Sequence, residues 1–141
     1  MQIDSRHSRR TLLRASAVLA LGLAAAAMPV LALAPGFAPY TKEGFEAALK
    51  GTKPVLVHVH AEWCPVCKRQ ETVFKTLADK PDFAKITPIL VNYDTDKAFN
   101  TAHKVTAQSV ILLFKGGKEI SRLNGETDPA KIAAFIADGV K

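Results

Sequence analysis

The chain contains only two cysteines, and they stand two residues apart in the run Trp63-Cys64-Pro65-Val66-Cys67-Lys68. A disulfide between residues this close in sequence closes a loop that is too small to constrain much of the chain. A structural cross-link is therefore a poor use for the pair. The spacing instead indicates a dithiol that opens and closes in thiol–disulfide exchange.

The residues on either side of the cysteines predict a strand followed by a helix. Residues 54–60 form a short apolar run rich in β-branched side chains, which is typical of a central parallel strand. In residues 70–78 apolar side chains recur at helical spacing, which predicts a helix to about residue 79. Cys64 then lies near a helix N-terminus, where free N–H groups favour an anion and lower a thiol pKa. We expect Cys64 to be the acidic, exposed, attacking sulfur, with Cys67 resolving the mixed disulfide.

Two segments resemble hallmark segments of the thioredoxin family. The first runs from Lys53 to Lys68 and includes the Ala-Glu-Trp that precedes Cys64, and the second, from Ile111 to Glu119, looks like the family's later hairpin. The resemblance covers about residues 40–141. It implies an α/β thioredoxin fold, with a mixed central sheet flanked by helices on both faces. It also implies exchange with protein disulfides, with no cofactor beyond the redox-active pair.

The sequence pattern supplies the elements of such a fold. A helix capped by Thr41 is predicted to run through about Lys50 and to end at Gly51. The other predicted elements are strands at 54–60 and 86–93, the helix after the cysteines, a short helix at 97–103, a hairpin of strands 110–114 and 119–123 joined by Gly116-Gly117, and a last helix opened by Asp128 and Pro129. The order βαβ and then ββα predicts a mixed sheet. We assign residues 35–141 to one thioredoxin-like domain.

The first 34 residues have the features of an export signal. Arginines lead into residues 15–33, which carry no charge, and this pattern predicts a signal peptide over residues 1–34. The run Ser8-Arg9-Arg10-Thr11-Leu12-Leu13-Arg14 resembles the twin-arginine export motif, with an ordinary secretory signal as the alternative. Cleavage after Ala34, cleavage after Ala32 and retention as a membrane anchor all stay open. The expected location is periplasmic or otherwise exported.

The charge of the chain limits its partners. After residue 34, fifteen Lys and Arg face twelve Asp and Glu, so the export segment supplies half of the formal net charge of +6. The remaining basic residues form no run interleaved with aromatics, so nucleic-acid binding has no support. The expected partners are substrate proteins that contain disulfides and a membrane protein that donates or accepts electrons. We expect the protein to be a monomer.

Three positions depart from the family pattern. His58 stands where thioredoxins carry a buried Asp, and Leu90 stands where the Lys partner of that Asp is usual. A neutral imidazole is easier to bury than an unpaired charge, and it could exchange a proton with Cys67. The alternative is a core histidine bonded to the backbone. Ser109 stands where the family has a cis-proline, and we expect a trans peptide because a non-proline cis bond costs about 2.5–4 kcal/mol.

The resemblance also implies a substrate groove around the dithiol. Trp63 is expected to shield one side of the site and to contact substrate, with packing against the region of the third helix as the alternative. Gln108, Ser109 and Val110 would form the opposite wall and dock a substrate through backbone groups. Lys68 is given a small tuning role at most, because a charge at such a position is commonly a solvated surface group.

Three functions compete for these residues, the third being a binding or chaperone module whose dithiol is incidental. The leading interpretation is an extracytoplasmic thiol–disulfide oxidoreductase, a reductase rather than an oxidase, because the chain has no room for the helical insertion of the strong periplasmic oxidant. The alternative is a protein that binds zinc or copper(I) through His58, His60, Cys64 and Cys67, a set of two nitrogen and two sulfur donors. Against it, the strand direction places at least one of the histidines in the core.

Overall fold

The computed structural model describes residues 36–141, so the predicted signal peptide, its cleavage site and its export motif lie outside the described residues. In chain order the elements are β1 (Ala38–Pro39), α1 (Lys42–Lys50), β2 (Val55–His60), α2 (Pro65–Leu77), β3 (Thr87–Asn92), α3 (Lys97–Ala102), β4 (Val110–Lys115), β5 (Lys118–Asn124) and α4 (Pro129–Val140). A 3-10 turn at Phe83–Lys85 lies between α2 and β3. None of the helices within residues 36–141 combines the length and the apolar character that a membrane crossing requires.

The strands form one mixed sheet in the order β1-β3-β2-β4-β5. Strand β3 is parallel to both β1 and β2, whereas β4 is antiparallel to β2 and to β5. The central strand, β2, is buried at all six of its residues, which explains why it reads as an almost continuous apolar run. The predicted fold class is confirmed.

Successive side chains of β2 point to opposite faces of the sheet, and each face is covered by two helices. Val55, Val57 and Val59 pack in a cluster that also contains Phe45 of α1 and Phe99 of α3, which we call the α1/α3 face. The other cluster, which we call the α2/α4 face, joins strand side chains to residues of α2 and α4. Its buried members include Leu56, Ile111, Leu113, Val73, Phe74, Ile132 and Ile136.

The predicted caps and turn are confirmed. Thr41 Oγ1 accepts the N–H of Gly44 at 3.0 Å, and Asp128 Oδ1 accepts two N–H groups of the first turn of α4. These bonds satisfy donors that a helix end leaves without a partner. The turn between β4 and β5 has φ angles of +58° at Gly116 and +78° at Gly117, which glycine adopts at little cost and which a tight hairpin turn requires.

The structure adds one strand that the sequence pattern does not predict. Strand β1 has only two residues, which are too few for any periodicity, and it forms by pairing with Ile89 and Leu90 of β3. The bounds of the predicted elements otherwise hold to within about two residues, as in α2, which ends at Leu77.

Candidate active site

Cys64 is the N-cap of α2. Its backbone is extended, with φ −88° and ψ 114°, and its Sγ accepts the N–H of Cys67 at 3.2 Å. Pro65 takes the first helical position, where the N–H that proline lacks would have no helical partner. The sequence prediction that the first cysteine lies at a helix N-terminus is therefore confirmed, and the helix directs an N–H group at the sulfur that would carry negative charge.

The prediction that Cys64 is exposed is wrong. Only 1% of the residue is accessible, because Cys64 packs in a small cluster with Ala61 and Cys67, against which Val66 and Tyr93 lie. The exposed group at this position is Trp63, which is 60% accessible. Its Nε1 donates to Asp94 Oδ2 at 2.9 Å, so the indole is tied to the loop between β3 and α3.

The hydroxyl of Ser109 lies between the two sulfurs. Its Oγ is 3.0 Å from Cys64 Sγ and 3.2 Å from Cys67 Sγ, and both cysteines are free thiols. No peptide bond within residues 36–141 is cis, which confirms the predicted trans peptide before Ser109. The serine adopts φ +64°, in the left-handed region that residues other than glycine seldom occupy. The loop that holds a proline in the family thus presents a polar group to the dithiol here.

The environment moves the pKa values of the two thiols in opposite directions. Burial raises the pKa of Cys64, but hydrogen bonds from the Cys67 thiol, the Ser109 hydroxyl and backbone N–H groups outweigh it, so the net pKa is lowered. Burial is the largest effect on Cys67 and raises its pKa, and donation to Cys64 raises it further. The first proton is therefore lost more readily from Cys64 than from Cys67, as attack by the first cysteine requires.

His58 is fully buried and is held by a side chain that the sequence analysis did not identify. Its Nε2 lies 2.9 Å from Gln70 Oε1. The Gln70 amide nitrogen donates to the carbonyl oxygens of Ser109 at 3.1 Å and of Glu126 at 2.8 Å, so the amide must present its oxygen to the imidazole. This network assigns the proton of His58 to Nε2. The lone pair is left on Nδ1, which is buried and has no hydrogen-bond partner among the described residues.

His58 is neutral in the folded protein. Burial lowers its pKa to about 3, and the hydrogen bond to Gln70 offsets only part of this effect. The sequence analysis offered a core histidine bonded to the backbone as one alternative, and the structure places a side-chain amide there instead. Proton exchange with Cys67 stays a prediction. Because its pKa is low, His58 can accept a proton through its lone pair, but the protonated imidazole is unstable in this site.

Three of the four predicted metal donors come together. The ligating atoms of His58, His60 and Cys67 lie within 4.8 Å of one another, and all three residues are buried. Cys64 does not belong to this group. Carboxylates flank His60, with Glu71 Oε1 3.1 Å from Nδ1, out of line for a hydrogen bond, and Glu62 Oε1 3.6 Å from Nε2.

The remaining predicted site residues fall into two places. Lys68 is exposed and, with His60 and Glu71, lines a cavity of about 350 Å³ that neither cysteine lines. Val110 is buried and pairs with Val59 on one side and Asn124 on the other. Val110 thus lies between two strands of the sheet, and docking of a substrate through its backbone stays a prediction. Gln108 is half-buried and is the member of that wall that a substrate can reach.

Gln70, which the sequence pattern was not used to identify, could have been recognised from its position on α2. It lies three residues after Cys67 and four before Phe74, so all three share one stripe of α2, and that stripe is buried. A polar residue on an apolar stripe needs hydrogen-bond partners in the core. The partners themselves, two backbone carbonyls and an imidazole, come from other elements and could not be identified from the spacing.

Comparison with known proteins gives consistent results. The family model "Thioredoxin" matches residues 36–138. A thioredoxin of Alicyclobacillus acidocaldarius is 30% identical over 98 residues, which cover 70% of this chain and 92% of that protein. Thioredoxin-1 of Saccharomyces cerevisiae is 32% identical over 102 residues, covering 69% and 91%. The crystal structure of Trxlp from Edwardsiella tarda, 40% identical, superimposes with a TM-score of 0.67 over 70% of this chain and 95% of that one.

Proposed function

The chain belongs to the thioredoxin family and is a thiol–disulfide oxidoreductase, and we propose that it works outside the cytoplasm as a reductase of protein disulfides. The observation that carries the chemistry is the placement of Cys64 at the cap of α2, with its Sγ accepting the Cys67 N–H and the higher-pKa Cys67 thiol beside it. The direction and the location are the parts that need testing.

In the first step the Cys64 thiolate attacks one sulfur of a substrate disulfide. The Cys64–substrate S–S bond forms as the substrate's own S–S bond breaks, and the departing substrate thiolate takes a proton from solvent. The lowered pKa of Cys64 increases the fraction of this thiol that is ionised at a given pH, and the thiolate is the nucleophile. Because Cys64 is 1% accessible, neighbouring groups must move before a substrate sulfur can reach it, and in our proposal the substrate approaches between Trp63 and Gln108.

In the second step Cys67 attacks Cys64 and releases the substrate as a thiolate. Cys67 must lose its proton first, and burial makes that loss costly. His58 belongs to the same buried cluster as Cys67, and its Nδ1 has no hydrogen-bond partner among the described residues, so His58 supplies the acceptor for this proton in our proposal. Two electrons pass from the dithiol to the substrate, which leaves a Cys64–Cys67 disulfide and two substrate thiols.

The proposed direction is reduction. Within residues 36–141 the elements of the fold follow one another without an additional helical unit of the kind that the strong periplasmic oxidant carries. A reductase outside the cytoplasm must be re-reduced, and we assign that role to a membrane protein that passes electrons from the cytoplasm. We also propose that the protein acts as a monomer on substrate proteins that contain disulfides.

The proposed location rests on the residues before the domain. The arginine run at residues 8–14 and the uncharged segment at 15–33 support export, and the two arginines at positions 9 and 10 support the twin-arginine route. Fusing residues 1–40 to a reporter that is active only outside the cytoplasm tests this. Loss of the signal on changing Arg9 and Arg10 to Lys would support the twin-arginine route, because the charge is kept, and an inactive parent fusion would refute export.

The equilibrium reduction potential of the Cys64–Cys67 pair, measured in glutathione buffers, tests the direction. A value near about −270 mV would support a reductase, and one near about −120 mV would reverse the assignment. Reduction of insulin disulfides by the full chain, with dithiothreitol as the electron source, checks the activity itself. The matched control is Cys67→Ser, which keeps the attacking thiol and should stop at the mixed disulfide.

A second candidate, metal binding, is favoured by the convergence of His58, His60 and Cys67. We place it below redox exchange because a metal-bound Cys67 thiolate cannot form the disulfide, and because Cys64 is engaged by Ser109 outside the cluster. Metal analysis of the reduced, purified protein separates the two candidates. One zinc or copper ion per chain together with failure to reduce insulin would favour the metal-binding function.

A further inference from the structure

We propose that Ser109 is a catalytic residue whose hydroxyl donates a hydrogen bond first to the Cys64 sulfur and then to the Cys67 sulfur as the negative charge moves between them. The inference rests on the thiol exchange proposed above. It requires neither the proposed direction of that exchange nor the proposed location of the protein.

The geometry gives the hydroxyl access to both sulfurs without any movement of the chain. The Oγ atom lies 3.0 Å from Cys64 Sγ and 3.2 Å from Cys67 Sγ, and Ser109 is 4% exposed, so little water competes for it. A hydroxyl has one proton to donate and two lone pairs. It can therefore donate to one sulfur while it accepts the S–H of the other, and rotation about Cβ–Oγ exchanges the two roles.

The backbone of Ser109 is held in a conformation that serine does not favour. Its φ is +64°, and strain of this kind is concentrated at functional sites. Three hydrogen bonds fix it: its N–H donates to the Val59 carbonyl at 2.9 Å, and its carbonyl accepts from Gly125 N–H at 2.9 Å and from the Gln70 amide at 3.1 Å. A strained residue fixed in this way keeps its side chain aimed at one place, here the two sulfurs.

The charge moves in a defined order. In the reduced pair Cys64 is the thiolate and Cys67 the thiol, so Ser109 donates to Cys64 and accepts from Cys67. When Cys64 bonds to the substrate sulfur it loses its charge, and the hydroxyl is free to turn. Cys67 then gives up its proton to His58, the acceptor proposed above, and the hydroxyl donates to the new thiolate until Cys67 forms its bond to Cys64 and the substrate thiolate leaves. The serine keeps its own proton throughout, so the balance of the exchange is unchanged.

Other groups near the sulfurs do not duplicate this role. His58 and His60 approach from β2 on the Cys67 side, and neither belongs with Cys64. The backbone N–H groups of Val66 and Cys67 favour charge on Cys64, but they are fixed in α2 and cannot follow it. The charged residues that flank the motif, Glu62 and Lys68, are exposed. Ser109 is the group among the described residues that contacts both sulfurs and can redirect its donor.

Two variants separate the hydroxyl from the loop that carries it. Ser109→Ala removes only the Oγ, and Ser109→Gly also relieves the left-handed backbone, so it folds even if the alanine variant does not. The pKa of Cys64, followed by the ultraviolet absorbance of its thiolate in the full chain, should rise by about one unit in both variants, which means about tenfold less thiolate below that pKa. Ser121→Ala on β5, which lies apart from the site, should leave the pKa unchanged.

The second step can be measured separately with Ellman's reagent, because the chain has no other cysteine. Attack by Cys64 leaves thionitrobenzoate on that sulfur, and attack by Cys67 releases it. We expect release at neutral pH to be about tenfold slower in both Ser109 variants than in the parent protein, with the pH midpoint of the release rate moved upwards. An unchanged pKa of Cys64 or an unchanged release rate in the glycine variant would overturn the proposal. Failure of the parent chain to release the reagent would instead refute the exchange function itself.

Discussion

The two faces of the sheet differ in the side chains that they bury. On the α1/α3 face the buried strand side chains are valine, isoleucine, leucine and phenylalanine, packed on Phe45 and Phe99. On the α2/α4 face the apolar cluster gives way, at the end of β2 nearest the cysteines, to His58, His60 and Gln70. Both faces bury an apolar core, but the second also carries a polar network that ends at the dithiol. Substitutions on the two faces should therefore have separable effects.

The largest effect is expected from Cys64→Ser. A hydroxyl at the cap of α2 is not ionised at neutral pH, so insulin-disulfide reduction should fall by about a thousandfold or more. The free energy of unfolding in urea should change little, since serine is also a favourable N-cap. Activity retained within about tenfold of the parent would mean that the chemistry does not depend on this sulfur.

Leu112→Ala tests the opposite face. Leu112 is fully buried in β4 on the α1/α3 face, so its truncation should lower the free energy of unfolding by about 2–5 kcal/mol. The rate at which the folded protein reacts with Ellman's reagent should stay within about twofold, because the site lies at the end of the other face. Denaturation in urea and the reaction rate in its absence are the two measurements. A large rate change in a fully folded variant would show that the faces are coupled.

The buried histidine of the α2/α4 face should make stability depend on acid. Unfolded His58 protonates near pH 6.5, but the folded pKa is about 3, so between these values the unfolded state binds the extra proton. Above about pH 6.5 the protonation of His58 does not lower the free energy of unfolding. As the pH falls from there towards 3, the free energy of unfolding decreases by up to about 1.4 kcal/mol per pH unit.

The matched comparison is His58→Leu against His103→Leu. His103 packs against Phe99 and Phe114 on the α1/α3 face, and burial lowers its pKa as well, but it remains partly accessible. The plot of unfolding free energy against pH should flatten markedly in the His58 variant and only slightly in the His103 variant. Equal slopes in the parent and the His58 variant would show that the imidazole is not held neutral.

The smallest effect is expected from Lys68→Ala. The ammonium group is exposed and lines the cavity beside His60 rather than the dithiol, so solvent screens it. We expect the reaction rate of Cys64 to change by less than about twofold at physiological ionic strength. A larger decrease that disappears in high salt would assign Lys68 a direct electrostatic role at the thiolate.

The parts of the molecule that sequence reasoning identified are those fixed locally. Thr41, Asp128 and the Gly116-Gly117 turn satisfy rules that involve a few neighbouring residues, and the structure confirms them. The cysteine motif likewise predicts a helix that begins at the first cysteine and has the second cysteine in its first turn. Strand β1 was missed because only its partner strand makes it a strand.

The polar network could not be derived in the same way. Gln70 and Ser109 are 39 positions apart in the chain, and their hydrogen bond exists only because α2 and the loop before β4 pack together. The prediction of an exposed Cys64 failed for the same reason, since Tyr93, which packs against the cluster of Ala61, Cys64 and Cys67, comes from the loop after β3. Position in sequence identified Ser109 as unusual, but only the fold places its hydroxyl 3.0 Å from one sulfur and 3.2 Å from the other.

The two outer strands of the sheet determine how easily another chain can add a strand to it. One edge strand, β1, has only two residues and includes Pro39, which lacks a backbone N–H. The other edge strand is β5, in which Glu119 and Arg122 form an ion pair. Borders that are short, proline-bearing or charged resist extension by a foreign strand. The sheet of this enzyme is thereby protected from strand addition by other chains.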